Sequence, residues 1–273
     1  MVRSHAATGR PTADRAAALA SYYDSEVDDR ATRALSDQRE DHRDLFIDAV
    51  TNDGARSLLE IGCGPGIDAT ALAGAGLDYT GIDLSFAAVA MCRGKGLRVC
   101  TASAVDLPFT DNAFDAAWTM STLLHLDDVE FESALREVRR VMRPGGLLAI
   151  GLWGDHVTSE QHLADKTGQR PPRYFRFRSD HDLRHALAEL GQIEQWVTWT
   201  ADPSPYHYQW ALVRTHDSPR SSGPEAQSRR RSAATVRVRR NLTESVAAGR
   251  GRQGKDHLRD VIFEWLGVDA GCP

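Results

Sequence analysis

The spacing of apolar residues changes repeatedly along this chain, and the changes divide it into alternating helices and strands. From about Ala17 to Val50 the pattern is helical, with Leu45, Phe46, Ala49 and Val50 forming an apolar stripe near its end. The short apolar run Ser57–Ile61 then predicts a buried strand, and a helix is expected over Asp68–Ala75 after a cluster of glycines. The alternation continues with strand Asp78–Ile82, helix Phe86–Arg93, strand Leu97–Thr101 and strand Phe114–Met120. Phe131, Leu135, Val138 and Met142 recur at helical steps until Pro144-Gly145-Gly146, which should stop that helix before a fifth strand, Leu147–Leu152. Ser179 and Asp182 have the spacing of a capping box ahead of Leu183, Leu187 and Leu190, and Gly191 should end that helix. Two further β-like segments, Ile193–Thr200 and Tyr206–Arg214, bring the expected strands to seven. Strands alternating with helices predict an α/β fold: a mostly parallel seven-stranded sheet with helices on both faces.

Composition changes this picture at the two ends. Residues 1–16 lack apolar periodicity and read as a flexible N-terminus, which leaves 17–215 as the folded domain. After Arg214, Ser, Pro, Gly and Arg dominate, so 216–273 reads as a basic, disordered C-terminal extension with one short helical stretch at His257–Leu266. The overall net charge of −5 hides an asymmetry: from Asp217 onward 11 Lys and Arg face 7 Asp and Glu, a net of +4, so the body carries −9. An acidic body suits a small-molecule partner better than a phosphate backbone. No run of about 18 apolar residues and no apolar leader core is present, and the four cysteines form no CxxC pair. A cytoplasmic setting without a membrane span, metal or disulfide framework is the expectation.

The chemistry concentrates in Leu58-Leu59-Glu60-Ile61-Gly62-Cys63-Gly64-Pro65-Gly66. Here a strand meets a loop with glycine at every second position, and a helix follows. Glycine allows positive φ and close approach of backbone to a ligand, and the helix start offers free amides. A tight strand–helix turn is the lesser alternative for the glycines, and Asp83 tips the balance further. It ends the second strand 17 residues beyond Gly66, in the register of an acidic residue that receives two ribose hydroxyls. The loop is GxGxG rather than GxGxxG, and no GxxxxGK[ST] occurs, so a dinucleotide or nucleoside triphosphate fits worse than a nucleoside with an amino-acid tail.

With these residues the chain resembles class I S-adenosylmethionine-dependent methyltransferases, in particular the small-molecule branch with a methyltransferase type 11-like domain. LLEIGCGPG resembles that family's first motif, Asp83 its second acidic position, and Ala102–Phe109 (ASAVDLPF) its adenine segment. Phe114–Trp118 through Leu123–Leu126 is similar to its fourth strand and following loop, and Arg143-Pro144-Gly145-Gly146 to the turn before its fifth. The resemblance implies a Rossmann-like methyltransferase fold and S-adenosylmethionine as cofactor. It further implies that Gly62, Gly64 and Gly66 wrap the methionine moiety and that Glu60 helps hold its ammonium. Asp83 would bind the ribose, Leu84 would pack on adenine, Ser103 and Ala104 would meet the adenine edge, and Met120 and Ser121 would border the sulfonium. Ser103 stands where the family often has Asp, so adenine recognition would lean on backbone amides or Asp106.

Candidates for acting on an acceptor are fewer. His125, just after the fourth strand, reads either as a general base or as a residue that packs its loop. Tyr206–Trp210 alternates aromatic with polar residues. It reads as core packing with polar residues outward or as a substrate contact, His207 being the candidate. The resemblance implies that Arg173 and Tyr174 lie in a region where relatives often line the acceptor pocket. It also implies that Tyr23 lies in a segment that can close over the cofactor. The expected activity is methyl transfer to an O, N or C atom of a small molecule. A nucleic-acid or protein methyltransferase, and a non-catalytic S-adenosylmethionine-binding regulator, are the alternatives. The Asn/Asp-Pro-Pro-aromatic motif of base methylation is missing after the fourth strand, where the chain reads Thr119-Met120-Ser121-Thr122.

Overall fold

The computed structural model describes residues 12–165, 170, 172–200 and 206–216. Two helices come first, α1 (Thr12–Ala31) and α2 (Asp37–Asn52), where one continuous helical stretch from about Ala17 to Val50 was expected. Ser36 divides them: its hydroxyl accepts from the Arg39 amide and caps α2. Then β1 (Ser57–Ile61), α3 (Ile67–Gly74), β2 (Asp78–Asp83), α4 (Phe86–Gly94), β3 (Val99–Thr101), β4 (Phe114–Met120) and α5 (Asp128–Val141) follow the predicted alternation. After these come β5 (Met142–Gly154), a hairpin of β6 (Ser159–Leu163) and β7 (Arg173–Phe177), α6 (Asp180–Leu190), β8 (Gly191–Thr200) and β9 (His207–Thr215).

Seven strands form one sheet in the order β3-β2-β1-β4-β5-β9-β8, with β1 to β5 parallel and β9 antiparallel to both its neighbours. The period of two along each strand sends successive side chains to opposite faces. Leu59, Ala117, Leu148, Ile150 and Val213 pack with α5, α6 and the hairpin. Leu58, Ala116, Leu147, Ala149 and Leu212 pack with α2, α3 and α4. Both faces are therefore covered, which is why the parallel strands are buried along nearly their whole length.

Three local expectations differ. α5 ends at Val141, and Met142 is already extended; Arg143 precedes a proline and is disfavoured as helix, so the chain leaves the helix before Pro144-Gly145-Gly146 is reached. Residues 143–146 then form an irregularity at the start of β5, between the pairs Phe114–Met142 and Ala116–Leu147. At α6, Ser179 accepts the Asp182 amide, but the Asp182 carboxylate turns to Thr158, so one half of the expected capping box exists. The β6–β7 hairpin was not anticipated. The extension 216–273, with its helical stretch at His257–Leu266, and most of the flexible N-terminus lie outside the described residues.

Candidate functional site

The strand order reverses between β1 and β4, and at such a switch point the loops leaving the carboxyl ends separate into a crevice. The glycine loop occupies it. Gly62, Gly64 and Gly66 have φ of 79°, 50° and 84°, in the left-handed region that favours glycine. The amides of Gly62 and Cys63 both donate to the Ile82 carbonyl, at 2.8 and 2.9 Å, tying the loop to β2. A Cβ on Gly62 would lie 2.0 Å from the Thr122 Oγ1, whereas one on Gly64 would meet nothing within 4 Å. Gly62 is therefore required by packing, and Gly64 leaves open space that a ligand can enter.

Asp83 lies across this opening. Its Oδ2 accepts the Gly64 amide and its Oδ1 the Ser85 amide, each at 2.8 Å. These bonds hold the carboxylate by one lone pair per oxygen and leave a second pair on each free to accept. Burial raises the Asp83 carboxyl above its ordinary value, and the two amides work against that rise. Glu60, at the end of β1, is buried and accepts the Tyr79 hydroxyl at 2.6 Å. Burial, and then the nearby Asp68, push its carboxyl well above the usual range.

One pocket joins these groups. Glu60, Gly62, Gly64, Asp83, Leu84, Ser103, Ala104, Met120 and Ser121 all line it, together with Tyr23 and His125. Ser121 has a left-handed φ of 56° without being glycine, a strained conformation kept by the Gly151 carbonyl and by the Tyr208 hydroxyl 2.9 Å from its Oγ. Four expected residues do not line it. Gly66 sits behind the loop as the N-cap of α3, where a Cβ would strike the Cys92 sulfur. Arg173 lies on β7, stacked 4.2 Å from the Tyr22 ring centre, and reaches the Tyr23 hydroxyl at 3.5 Å. Tyr174 supplies its backbone carbonyl to His125 and its hydroxyl to Glu160. His207 is directed away, 2.6 Å from Asp180. In the Tyr206–Trp210 segment the polar His207 and Gln209 are buried rather than outward, because Asp180 and the Arg178 carbonyl offer them partners inside. It is Tyr208, on the other face, that approaches the site. Asp106 is exposed and lies off the pocket.

His125 is fully engaged. A carbonyl can only accept, so the 2.9 Å contact with Tyr174 fixes Nδ1–H as donor, and Nε2 then accepts the Tyr23 hydroxyl at 2.7 Å. Burial pushes this imidazole down to about 3. Several lining residues escaped the sequence reading, because α1, α2 and the link between them roof the pocket: Leu19, Val27, Arg30, Arg33, Leu35 and Arg39. Asp24 seats α1 by accepting from the Ser85 hydroxyl (2.7 Å) and the Ala87 amide (2.9 Å) at the start of α4. Helical arginines on a charged segment give no signal that distinguishes lining from solvent.

Residues 59–150 match the methyltransferase domain family. Over those residues the chain is similar to class I S-adenosylmethionine-dependent methyltransferases. It is 34% identical over 155 residues to the O-methyltransferase resE of Aspergillus sclerotiorum, covering 52% of this chain and 56% of that one. It is 28% identical to the demethylmenaquinone methyltransferase of Paenarthrobacter aurescens over 69% of this chain and 81% of that one. The match spans 56%, 44% and 51% of three O-methyltransferase relatives, so it covers about half their length. Among solved structures the [4+2]-cyclase SpnF is similar with a TM-score of 0.55 and 25% identity, over 68% of this chain and 84% of that one. A 1,6-didemethyltoxoflavin-N1-methyltransferase of Burkholderia thailandensis has the same fold, with a TM-score of 0.59 at 18% identity over 78% and 94% of the two chains.

The pocket offers three features to a ligand. Gly64 leaves space a Cβ would fill, Asp83 keeps free lone pairs, and the Glu60 carboxyl is buried at the loop's base. The three described cysteines, Cys63, Cys92 and Cys100, are free thiols, and among the described residues no group of His, Cys, Asp and Glu could hold a metal. No described helix is long and apolar enough to cross a membrane.

Proposed function

We propose that this chain is an enzyme that transfers the methyl group of S-adenosylmethionine to an O, N or C atom of a small-molecule acceptor. The observation that supports it most is the single pocket that joins the Gly62–Gly64 loop and Asp83 to the strained Met120–Ser121 turn. Asp83 receives the ribose hydroxyls, Leu84, Ser103 and Ala104 frame adenine, and Glu60 with the Gly62 carbonyl holds the ammonium of the tail. Met120 and Ser121 border the reacting end. Ser103 already accepts the Val105 amide at 3.3 Å and keeps its hydroxyl proton to donate. Several relatives bear names of small-molecule methyltransferases, among them 27-O-demethylrifamycin SV methyltransferase and fatty-acid O-methyltransferase.

When bound, the cofactor supplies an electrophilic methyl on a good leaving group, so the protein's task is alignment. His125 positions rather than deprotonates: both ring nitrogens have partners, and an imidazole held near 3 is a poor base at neutral pH. The roof of α1 and α2 and the acidic body favour a small acceptor over nucleic acid. SpnF, whose name is that of a cyclase, is the reason to separate cofactor binding from methyl transfer in the test.

S-adenosylhomocysteine should bind with NAD inert, and labelled S-adenosylmethionine should pass its methyl to compounds in a small-molecule extract. Asp83→Ala should weaken S-adenosylhomocysteine about tenfold to a hundredfold in a folded protein, the loss of about 1.5–3 kcal/mol from hydrogen bonds to a charged group. Tight NAD binding with none of S-adenosylhomocysteine would sink the cofactor reading. Binding without label transfer would leave a sensor or a cyclase-like catalyst.

A further inference from the structure

The α1 side of the pocket carries a cation that no carboxylate pairs with directly. Arg30 lines the pocket with its guanidinium 4.5 Å from the Tyr23 ring centre. It makes no hydrogen bond or ion pair among the described residues, and its Nε is buried. The other two pocket arginines are engaged: Arg39 with Asp68 at 2.5 Å, and Arg33 with Glu26 at 3.3 Å. A guanidinium taken from water without a partner is costly, so a protein that keeps one in a pocket gains from a ligand that completes it.

Its position decides which ligand. Arg39 feels Asp68 and Glu60, and so marks the end of the pocket proposed for the cofactor's amino-acid tail. Arg30 instead acts on Asp83 and His125, at the ribose and reacting end, where Leu19, Val27 and Leu126 supply apolar wall. Its charged neighbours there include Arg33 and Arg173, which repel it, and the Asp83 carboxylate, which it reaches only through space. Tyr23 presents a π-face beneath the guanidinium, which stabilises the cation but leaves its in-plane donors unused.

We propose that the methyl acceptor is an ionised oxygen acid on an apolar body, a carboxylate or phenolate, held by Arg30. The inference rests on the methyl-transfer reading above. An oxygen anion attacks with its own lone pair: the O–CH3 bond forms as the CH3–S bond breaks, and that pair stays on sulfur and neutralises the sulfonium. No proton leaves the acceptor, so no base is needed, in keeping with an imidazole already bonded at both nitrogens.

The full chain is first titrated with S-adenosylhomocysteine, which reports on the cofactor reading alone; no binding overturns both readings. The loaded protein is then titrated with benzoate against benzamide, hexanoate against hexanamide, and 4-nitrophenolate against 4-nitroanisole. At least one anion should bind about tenfold or more tighter than its neutral match, and the pair that discriminates tells carboxylate from phenolate. Arg30→Met should abolish that preference while S-adenosylhomocysteine affinity stays within about twofold. Equal binding of anions and neutral matches by the native chain overturns the proposal, and this comparison holds even if the variant does not fold. A loss of S-adenosylhomocysteine affinity of about tenfold in Arg30→Met also overturns it, because Arg30 would then grip the cofactor's own carboxylate.

Discussion

Two glycines two positions apart in the same loop, both at positive φ, answer to different demands, and substitution separates them. Gly62→Ala would drive a methyl into Thr122, so we expect lost stability whether or not a ligand is present. Gly64→Ala meets open space; it should cost only the left-handed penalty of about 1–2 kcal/mol in stability, yet weaken S-adenosylhomocysteine by about tenfold. Melting curves with and without S-adenosylhomocysteine check both, and equal behaviour of the two variants would refute the cradle at Gly64. His125 carries a pH signature. Burial lowers its imidazole from 6.5 to about 3, so the folded chain keeps it neutral while the unfolded chain takes up a proton below 6.5. Its contribution is complete above about pH 6.5 and is lost as pH falls toward 3, stability declining because the unfolded state binds the extra proton. His125→Gln should flatten this part of the acid limb in urea melts between about pH 7 and 4, and an unchanged slope would mean that the ring is solvated. That Gly62, Gly64 and Asp83 share one pocket was legible because their placement is local: a loop of fixed spacing and one strand end. Tyr208 was not, since its approach to Ser121 depends on β9 lying beside β5, a pairing distant in sequence.

At the level of elements, legibility followed burial. Strands β1, β2 and β4 were readable to within a residue because both their faces are covered and nearly all their positions are buried. The β6–β7 hairpin was not: β6 is Ser-Glu-Gln-His-Leu with no buried residue, and the bases and aromatics of β7 read as a loop before α6. The break between α1 and α2 had its signal in Ser36-Asp37, a cap followed by an acidic first turn, hidden by helical residues on both sides. That break matters, because α1 is an arm held at a few points. Asp24 accepts two hydrogen bonds at the start of α4, and Arg15 pairs with Asp127, at 2.8 Å, and with Glu130 at the start of α5. Asp24→Ala removes the first anchor and leaves the Ser85 hydroxyl and Ala87 amide to water. We expect faster amide exchange across Thr12–Ala31 with the sheet unchanged, and weaker S-adenosylhomocysteine binding, because the pocket walls Leu19, Tyr23 and Val27 travel with the helix. Exchange that rises uniformly over the protein would show that α1 belongs to the core instead of the roof.

For the whole molecule the question is how much of the chain the pocket needs. Every residue that lines it falls between Leu19 and Leu126, and the sheet that carries it closes with β9. At the end of β9 the Thr215 hydroxyl donates to the Arg143 and Gly146 carbonyls, and the His216 amide to the Leu190 carbonyl, so the final strand is tied off within the described residues. A chain ended after His216 should therefore fold cooperatively and bind S-adenosylhomocysteine within about twofold of the full protein. Charge provides the sharper reading. The removed segment carries +4 and the remainder −9, so a tail that merely screens the body would make truncation costly at low ionic strength and neutral at high, since exposed charges lose sight of each other beyond a Debye length of about 10 Å at 0.1 M salt. A tail that docks by apolar contact, through Val261, Phe263 and Leu266 for example, would leave a defect that salt does not remove. Melting temperature and affinity measured for both chains across a salt series distinguish these outcomes. A tenfold affinity loss that persists at high salt would place part of the site beyond His216 and move the domain boundary with it.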